Sequence, residues 1–174
     1  MEEVILVDRE DKPLGLMEKM EAHRKGLLHR AFSVFIFNLN NELMLQQRAL
    51  GKYHSPGLWS NTCCSHPRDG EAVLEAGHRR LKEEMGFDCQ LEKTIDFIYY
   101  AELDKGMIEH EFDHVLVGRF DGFPEINPQE VHSWKWIKLE DLSEDMEKNP
   151  EHYTVWFRII FNKVKDVILG QAFP

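Results

Sequence analysis

The sequence predicts an α+β fold, with a β-rich core covered by a few helices. Runs of β-branched and aromatic residues separated by turn residues indicate antiparallel hairpins. Three segments have the periodicity of an amphipathic helix. The strict alternation of strand and helix that is typical of a doubly wound sheet is missing. Since the sequence also contains no internal repeat, low-complexity tract or Pro/Ser-rich linker, we expect a single domain over residues 1–174.

The strands are predicted from short apolar runs that end at turn residues. Residues 4–7 form the first such run. Residues 31–37 and 42–47 flank the turn-forming residues 38–41, and this arrangement predicts a hairpin. Residues 51–68 are predicted to be mostly loop, and a loop of this length in a compact domain is usually functional. Further strands are expected at residues 95–103, 109–120 and 134–137.

The helices are predicted from apolar residues that recur on one face. For residues 71–85 this stripe consists of Leu74, Gly77, Leu81 and Met85. Gly86 follows the stripe and is a natural helix end. A short helix is expected at residues 139–146, and a longer amphipathic helix at residues 156–168 that is closed by Gly170.

Composition and charge exclude several classes of protein. With 43% hydrophobic and 30% charged residues, the chain can bury a core, so disorder is excluded. Its 21 basic residues against 31 acidic residues give a net charge of −10, which argues against a general nucleic-acid binder. A small anionic ligand would need a local cluster of basic side chains. The positions of Lys and Arg are therefore informative.

The sequence also indicates where the protein operates. No run approaches the roughly 20 apolar residues of a membrane span, and the N-terminus lacks a secretory pattern. The three cysteines, Cys63, Cys64 and Cys89, make a poor disulfide framework, so we expect a cytoplasmic protein. No heptad seam or interface patch is present, and we expect a monomer or weak homodimer with no membrane or nucleic-acid partner.

The predicted helix at residues 71–85 carries two charged pairs four residues apart. Arg80 and Glu84 share one face, and Arg79 and Glu83 form a neighbouring pair. One interpretation is a solvated face with helix-supporting ion pairs. The other is that Glu84 holds a divalent cation while Arg80 contacts a phosphate. The residues 59–67 before the helix favour the second, because they contain a Cys-x-His pair.

The predicted strand at residues 109–120 begins with alternating acids. Glu109, Glu111 and Asp113 project from one face, because successive side chains of a strand point to opposite sides. Such a cluster of carboxylates fits a metal site. It fits equally an exposed edge strand, where charges protect against aggregation.

Histidines supply further candidate ligands. His23, His29 and His66 together with Glu109 and Glu111 would form a mixed nitrogen and oxygen site, which suits zinc, manganese or iron(II). Spacing alone does not bring these residues together. For the other histidines we expect ordinary surface or core positions; these are His54, His78, His132 and His152.

Several motifs in chain order carry a family resemblance. They are Glu18-Lys19, His23, Leu28-His29, and the segments 47–50, 56–67, 79–86 and 109–111. Together they resemble type I isopentenyl-diphosphate isomerase over residues 4–156. This resemblance implies a Nudix-type α/β/α sandwich with a mixed β-sheet. It also implies the isomerisation of isopentenyl diphosphate to dimethylallyl diphosphate through a tertiary carbocation, in isoprenoid biosynthesis.

The chain departs from the signature of Nudix hydrolases at an informative position. Glu71 and Arg79 of that signature are kept, Ser65 replaces its first glycine, and Arg80 replaces a glutamate that binds metal in the hydrolases. An arginine cannot bind a cation, but it can bind diphosphate oxygens. This favours an isomerase over the alternatives, which are a Nudix hydrolase of a nucleoside or prenyl diphosphate and a non-catalytic sensor.

The resemblance implies roles for individual residues. One divalent metal, Mn²⁺ or Zn²⁺, would be held by His23, His29, His66, Glu109 and Glu111. Mg²⁺ bound with the substrate diphosphate would be held by Glu84 and the backbone of Cys64. The diphosphate would be bound by Lys19, Arg48, Lys52 and Arg80. The five-carbon tail would be surrounded by Cys64, Glu111, Tyr99 and Trp156.

The resemblance also implies how these residues act. Glu111 and its neighbour Tyr99 would deliver a proton to the alkene, and Cys64 would lie on the face where the C2 proton leaves. Two proton-transfer groups on opposite walls satisfy the chemistry of a double-bond shift. The π face of Trp156 would stabilise the carbocation between them.

Overall fold

The structure is a computed structural model that describes residues 2–170, and its centre is a nine-stranded mixed β-sheet. The strands are β1 (Glu3–Val7), β2 (Pro13–Glu18), β3 (His29–Phe37), β4 (Leu43–Arg48), β5 (Trp59–Ser60), β6 (Cys63–Ser65), β7 (Leu91–Glu102), β8 (Ile108–Arg119) and β9 (Val131–Ile137). The helices are α1 (Lys19–Lys25), α2 (Val73–Met85), α3 (Leu139–Lys148) and α4 (Val155–Gly170).

The parallel pairing of β3 with β8 organises the sheet. Its register runs from His29 opposite Glu111 to Phe37 opposite Arg119. β8 also pairs antiparallel with β7, and β3 pairs antiparallel with β1, β4 and β6. On the other side, β4 pairs with β5 and β9. The pairing brings the start of β3, the first residues of β8 and the short β6 to one end of the sheet.

Two apolar layers cover the two faces of the sheet, which confirms the predicted α/β/α sandwich. Along β3, Phe32 and Val34 pack on one face with Leu81 of α2, while Phe35 packs on the other with Phe157 of α4. Alternate residues therefore enter different cores. The sequence of a strand that is buried on both faces is a nearly continuous apolar run, as it is at residues 31–37.

The structure contains elements that the sequence did not predict. Helix α1 has only seven residues, too few for a readable apolar period. Its ends are nevertheless well defined: the Glu18 carboxylate accepts from Met20 N–H at 3.0 Å and Glu21 N–H at 2.8 Å, and Gly26 closes it with φ 61°. Strand β2 was also missed, and the predicted loop at 51–68 contains β5 and β6.

The predicted helices are present with shifted bounds. Helix α2 begins at Val73 instead of residue 71, and Leu74 of the predicted stripe is 41% exposed, while Ala76 is fully buried. Gly86 ends α2 as predicted, with φ 72° and its N–H donating to the Lys82 carbonyl. Helix α4 continues through Gly170, the last residue described. Within residues 2–170 there is no helix with the length and apolar character that a membrane crossing requires.

Candidate active site

Five buried side chains converge at the end of the sheet where β3 and β8 begin. His23 comes from α1, His29 from β3, His66 from the segment after β6, and Glu109 and Glu111 from β8. One nitrogen or carboxylate oxygen from each lies within 4.8 Å of the corresponding atoms of all the others. None of the five is more than 9% exposed. The predicted ligand set is thus assembled in space.

Backbone carbonyls orient two of the imidazoles. Nδ1 of His23 lies 2.7 Å from the Lys19 carbonyl, and Nδ1 of His29 lies 2.8 Å from the Leu27 carbonyl. Because a carbonyl only accepts, each Nδ1 carries the proton and Nε2 presents its lone pair to the cluster. His29 Nε2 is then 3.5 Å from Glu111 Oε1. This arrangement is typical of histidines that ligate a metal.

The donor set fits a divalent ion. Two ligands on opposite sides of a metal lie about 4.2 Å apart if each bond is about 2.1 Å, which agrees with the 4.8 Å limit here. Among the described residues, His29 Nε2 and Glu109 Oε2 are buried without a hydrogen-bond partner. Burial and the charge of Glu111 raise the pKa of Glu109, so a cation would relieve this repulsion. The alternative of an exposed edge strand is wrong, because β8 lies between β3 and β7.

Tyr99 and Glu111 form one wall of the adjoining pocket. They are opposite each other in the β7–β8 register, and the Tyr99 hydroxyl donates to Glu111 Oε2 at 2.6 Å. Burial and the charge of Glu111 raise the pKa of Tyr99, which keeps its hydroxyl protonated. Burial alone would raise the pKa of Glu111, but the neighbouring His29, Glu109 and Tyr99 side chains lower it to about 2.

Cys64 lies on another wall of the same pocket. It belongs to β6 and is paired with Ser33 of β3. Burial, followed by the charge of Glu84, raises the pKa of the Cys64 thiol to about 12, so this side chain is a thiol at neutral pH. The adjacent Cys63 is fully buried in the α2 side of the core. The two neighbouring cysteines therefore have different environments.

Four cationic side chains line the same pocket, although the chain as a whole is acidic. They are Lys19, Arg48, Lys52 and Arg80, from α1, β4, the following loop and α2. Within residues 2–170, Arg48 Nε and Arg80 Nε are buried and make no hydrogen bond. These N–H groups are available to an anion, as the sequence predicted for a phosphate site.

Glu84 is buried beside these cations. It is 5% exposed, accepts from Arg80 Nη2 at 2.5 Å, and accepts from Gln46 Nε2 at 2.7 Å. The interpretation of the Arg80 and Glu84 pair as a solvated face is therefore wrong. Arg79 has a different role: it joins Glu71 through hydrogen bonds of 2.6 and 2.8 Å and ties the segment before α2 to the middle of the helix.

Trp156 closes the pocket from α4. It is 3% exposed, and the Arg48 guanidinium lies 5.1 Å from its ring centroid. The ring of His54 contacts it edge-on with centroids 5.4 Å apart. Burial, followed by the charge of Arg48, lowers the pKa of His54 to about 4, so this imidazole is neutral.

The pocket contains nearly all of the predicted site residues. Of that set, His29 is the one that does not line it, since it lies fully buried behind the other ligands. Sequence reasoning missed six lining residues: Gln46, Tyr53, His54, Ser60, Ser65 and Glu130. Gln46 could have been found from its position two residues before Arg48 on the same strand face. Glu130 could not, because it comes from a distant turn before β9.

Comparison with known proteins identifies a family and relatives that match most of the chain. The NUDIX domain family matches residues 27–157. The chain is 52% identical over 163 residues to isopentenyl-diphosphate Delta-isomerase 2 of Aromatoleum aromaticum, covering 94% of this chain and 86% of the relative. It is 53% identical over 171 residues to the isopentenyl-diphosphate Delta-isomerase of Pectobacterium atrosepticum, covering 98% and 94%.

Solved structures show the same architecture at low sequence identity. A crystal structure of a Deinococcus radiodurans protein superposes with a TM-score of 0.72 at 20% identity, covering 84% of this chain and 90% of the other. The Nudix hydrolase RenU of M. smegmatis superposes with a TM-score of 0.63 at 12% identity, covering 98% of this chain and 97% of the other. These likenesses concern the fold.

Proposed function

The chain belongs to the NUDIX-domain isopentenyl-diphosphate Delta-isomerases and isomerises isopentenyl diphosphate to dimethylallyl diphosphate, and we propose that it does so in the pocket between Cys64 and Glu111. The observation that supports this proposal is that one pocket contains two candidate proton-transfer groups, Cys64 and the Tyr99–Glu111 pair, together with a cluster of cationic side chains. A diphosphate held by the cations places its five-carbon tail between the walls.

The cation cluster accounts for diphosphate binding by a chain of net charge −10. Lys19, Arg48, Lys52 and Arg80 bind the diphosphate. Arg48 and Arg80 support this assignment because each has a buried, unpaired Nε–H group within the described structure. Arginine binds phosphate oxygens through geometrically fixed N–H groups, so these side chains also fix the orientation of the substrate.

The chemical step is a proton shift across the substrate. An unactivated alkene is a weak base, so a positioned acid must protonate its terminal carbon to give the tertiary carbocation. The Tyr99 and Glu111 wall supplies this proton, since the Tyr99 hydroxyl is protonated and 2.6 Å from Glu111 Oε2. Cys64 on the other wall removes the proton from C2.

The protonation states of the ligand-free pocket fit such a cycle. Cys64 is a thiol and Glu111 a carboxylate. The first wall thus holds the proton that it donates on Tyr99, whereas Cys64 must lose its thiol proton before it can act as the base. Because forward turnover removes a proton from the first wall and adds one to Cys64, both walls must exchange protons with solvent before the next forward cycle begins. In the reverse reaction the same groups act in the opposite order.

The carbocation must be stabilised without capture by water. Trp156 is buried at the pocket and already accommodates the Arg48 cation against its ring. Its π face stabilises a desolvated cation by about 2 kcal/mol or more. His54, which contacts the Trp156 ring, contributes no competing positive charge because it is neutral.

Two metal sites belong to this proposal. His23, His29, His66, Glu109 and Glu111 hold Mn²⁺ or Zn²⁺, a choice supported by their mixed nitrogen and oxygen donors. Glu84 and the Cys64 backbone hold the Mg²⁺ that accompanies the diphosphate. When bound, these ions offset the buried carboxylate charge, orient Glu111 and neutralise the diphosphate.

The proposal also includes the cellular compartment and the oligomeric state of the enzyme. A reducing cytoplasm is supported by the three free cysteines, because Cys64 must stay reduced to take part in proton transfer. A monomer or weak homodimer is sufficient for the reaction, since the pocket is built from one chain.

The experiment that tests the function monitors both isomerisation and hydrolysis. Purified protein is incubated with Mn²⁺, Mg²⁺ and isopentenyl diphosphate, and proton NMR is combined with a phosphate assay. We expect dimethylallyl signals without phosphate release, because Arg80 replaces a metal-binding glutamate of the hydrolases. Phosphate release in place of dimethylallyl product would favour a hydrolase. Binding without turnover would favour a sensor.

A further inference from the structure

Glu130 enters the cation cluster from a turn that is held firmly by its backbone. Its N–H donates to the Asn127 carbonyl at 3.0 Å, and its own carbonyl accepts from Ala49 N–H at 3.0 Å. Its side chain is 25% exposed and lines the pocket. The carboxylate is thus directed at the pocket by a fixed main chain.

A single carboxylate oxygen of Glu130 meets two of the diphosphate-binding cations. Oε2 forms an ion pair with Lys52 Nζ and lies 3.6 Å from Arg80 Nη2. Within residues 2–170, Glu130 is the one ion-pair partner of Lys52, whereas Arg80 also pairs with Glu83 and Glu84. Glu130 therefore neutralises Lys52, one of the cations assigned to the diphosphate.

The carboxylate of Glu130 is ionised. Burial would raise its pKa, but the hydrogen bond and charge of Lys52 and the charges of Arg80 and Lys19 lower it. A diphosphate that reaches Lys52 and Arg80 must share these cations with Glu130 or displace it. Two anions in such proximity repel each other, so either route reduces the affinity of the site for diphosphate.

The structure has room for Glu130 to move aside. A cavity of about 420 Å³ lies next to the pocket, and Glu130 forms part of its wall. The same cavity is lined by Arg68 and Arg79 and also by the acidic Glu2 and Glu3. A displaced Glu130 carboxylate would therefore lie in a cavity that contains charges of both signs.

We propose that Glu130 is an internal counter-ion, which occupies the substrate's place on Lys52 in the empty enzyme and weakens the binding of diphosphate in substrate and product alike. This inference rests on the proposed function, since it takes Lys52 and Arg80 as diphosphate-binding residues. As a consequence, the product dimethylallyl diphosphate dissociates faster than it would from the same cation cluster without Glu130.

The direct test is calorimetric titration of the full chain with inorganic diphosphate in the presence of Mg²⁺. We expect the Kd of E130Q to be about five- to tenfold lower than that of the wild type, because one negative charge is removed beside the anion. E130A should shift the Kd in the same direction. E83Q is the matched control: Glu83 also pairs with Arg80, at 2.7 Å, but lies outside the pocket, so its Kd should change less than twofold.

An unchanged or raised Kd in E130Q, or an equal fall in E83Q, would overturn the proposal. Steady-state kinetics provide the second readout: the KM of E130Q for isopentenyl diphosphate should fall by a similar factor, with no rise in kcat. A purely structural role would instead raise KM or leave it unchanged. If the wild type bound diphosphate but did not isomerise, the proposed function would fail while the Kd comparison still tested Glu130.

Discussion

At the scale of single residues, the environment sets the chemical state of each reactive group. Cys63 and Cys64 are neighbours in the sequence, yet one lies in the apolar core and the other at the pocket. The alternating directions of side chains on β6 cause this difference. The resemblance identified Cys64 in advance, whereas the sequence itself does not show that its thiol pKa is raised to about 12.

Substitution of either proton-transfer side chain should stop turnover but leave the binding of diphosphate intact. We expect C64A and E111Q each to lower kcat by at least about 10²- to 10⁴-fold, the range typical of general acid–base groups. The Kd for inorganic diphosphate should change little, because neither side chain belongs to the cation cluster. C89A is the control, since Cys89 lies outside the pocket. Near-normal kcat in either wall variant would contradict the two-wall mechanism.

At the scale of elements, short segments carry much of the site and were the hardest to predict. Helix α1 provides Lys19 and His23, and β6 provides Cys64, but these elements have only seven and three residues. Local pattern is too weak over such lengths, and their conformations depend on caps and on pairing with β3. The longer α2 and β8 were predicted, because their patterns extend over several turns or alternations.

The end of α2 depends on a glycine for two separate reasons. Gly86 has φ 72°, and an added Cβ would lie 2.3 Å from the Glu125 carbonyl oxygen. Gly70 has a similar φ of 74°, but an added Cβ there would meet no other atom. A substitution at Gly70 therefore measures the cost of the positive φ alone, without a steric clash. We expect G70A to lower the free energy of unfolding by about 1 kcal/mol and G86A by at least about 2 kcal/mol more. If chemical denaturation showed equal losses of unfolding free energy for G70A and G86A, this account would be contradicted.

At the scale of the whole molecule, topology assembles a site from residues 19 to 156. The parallel pairing of β3 with β8 places His29 beside Glu111, although 82 positions separate them. No spacing rule predicts this contact. Without the resemblance, the five metal ligands were only residues of a type that could bind one metal together. The pairing of distant strands supplies what sequence periodicity lacks.

The molecule also shows what a family resemblance leaves out. It supplied the Nudix-type fold and a role for every residue named for the site, and those residues lie around one pocket or directly behind it. It did not supply Gln46, His54 or Glu130, whose roles follow only from contacts with Glu84, Trp156 and Lys52. These residues surround the reactive groups and adjust their charge and orientation.

The central claim is that two separate walls exchange protons with solvent during one isomerisation. The most direct measurement is proton and deuterium NMR of the dimethylallyl diphosphate formed from isopentenyl diphosphate in D₂O with the wild-type enzyme. We predict deuterium in a product methyl group, because the incoming proton comes from the exchangeable Tyr99 and Glu111 wall while Cys64 takes a different proton away. Isomerisation that transferred the substrate's own C2 hydrogen to the methyl group without deuterium uptake would contradict the mechanism.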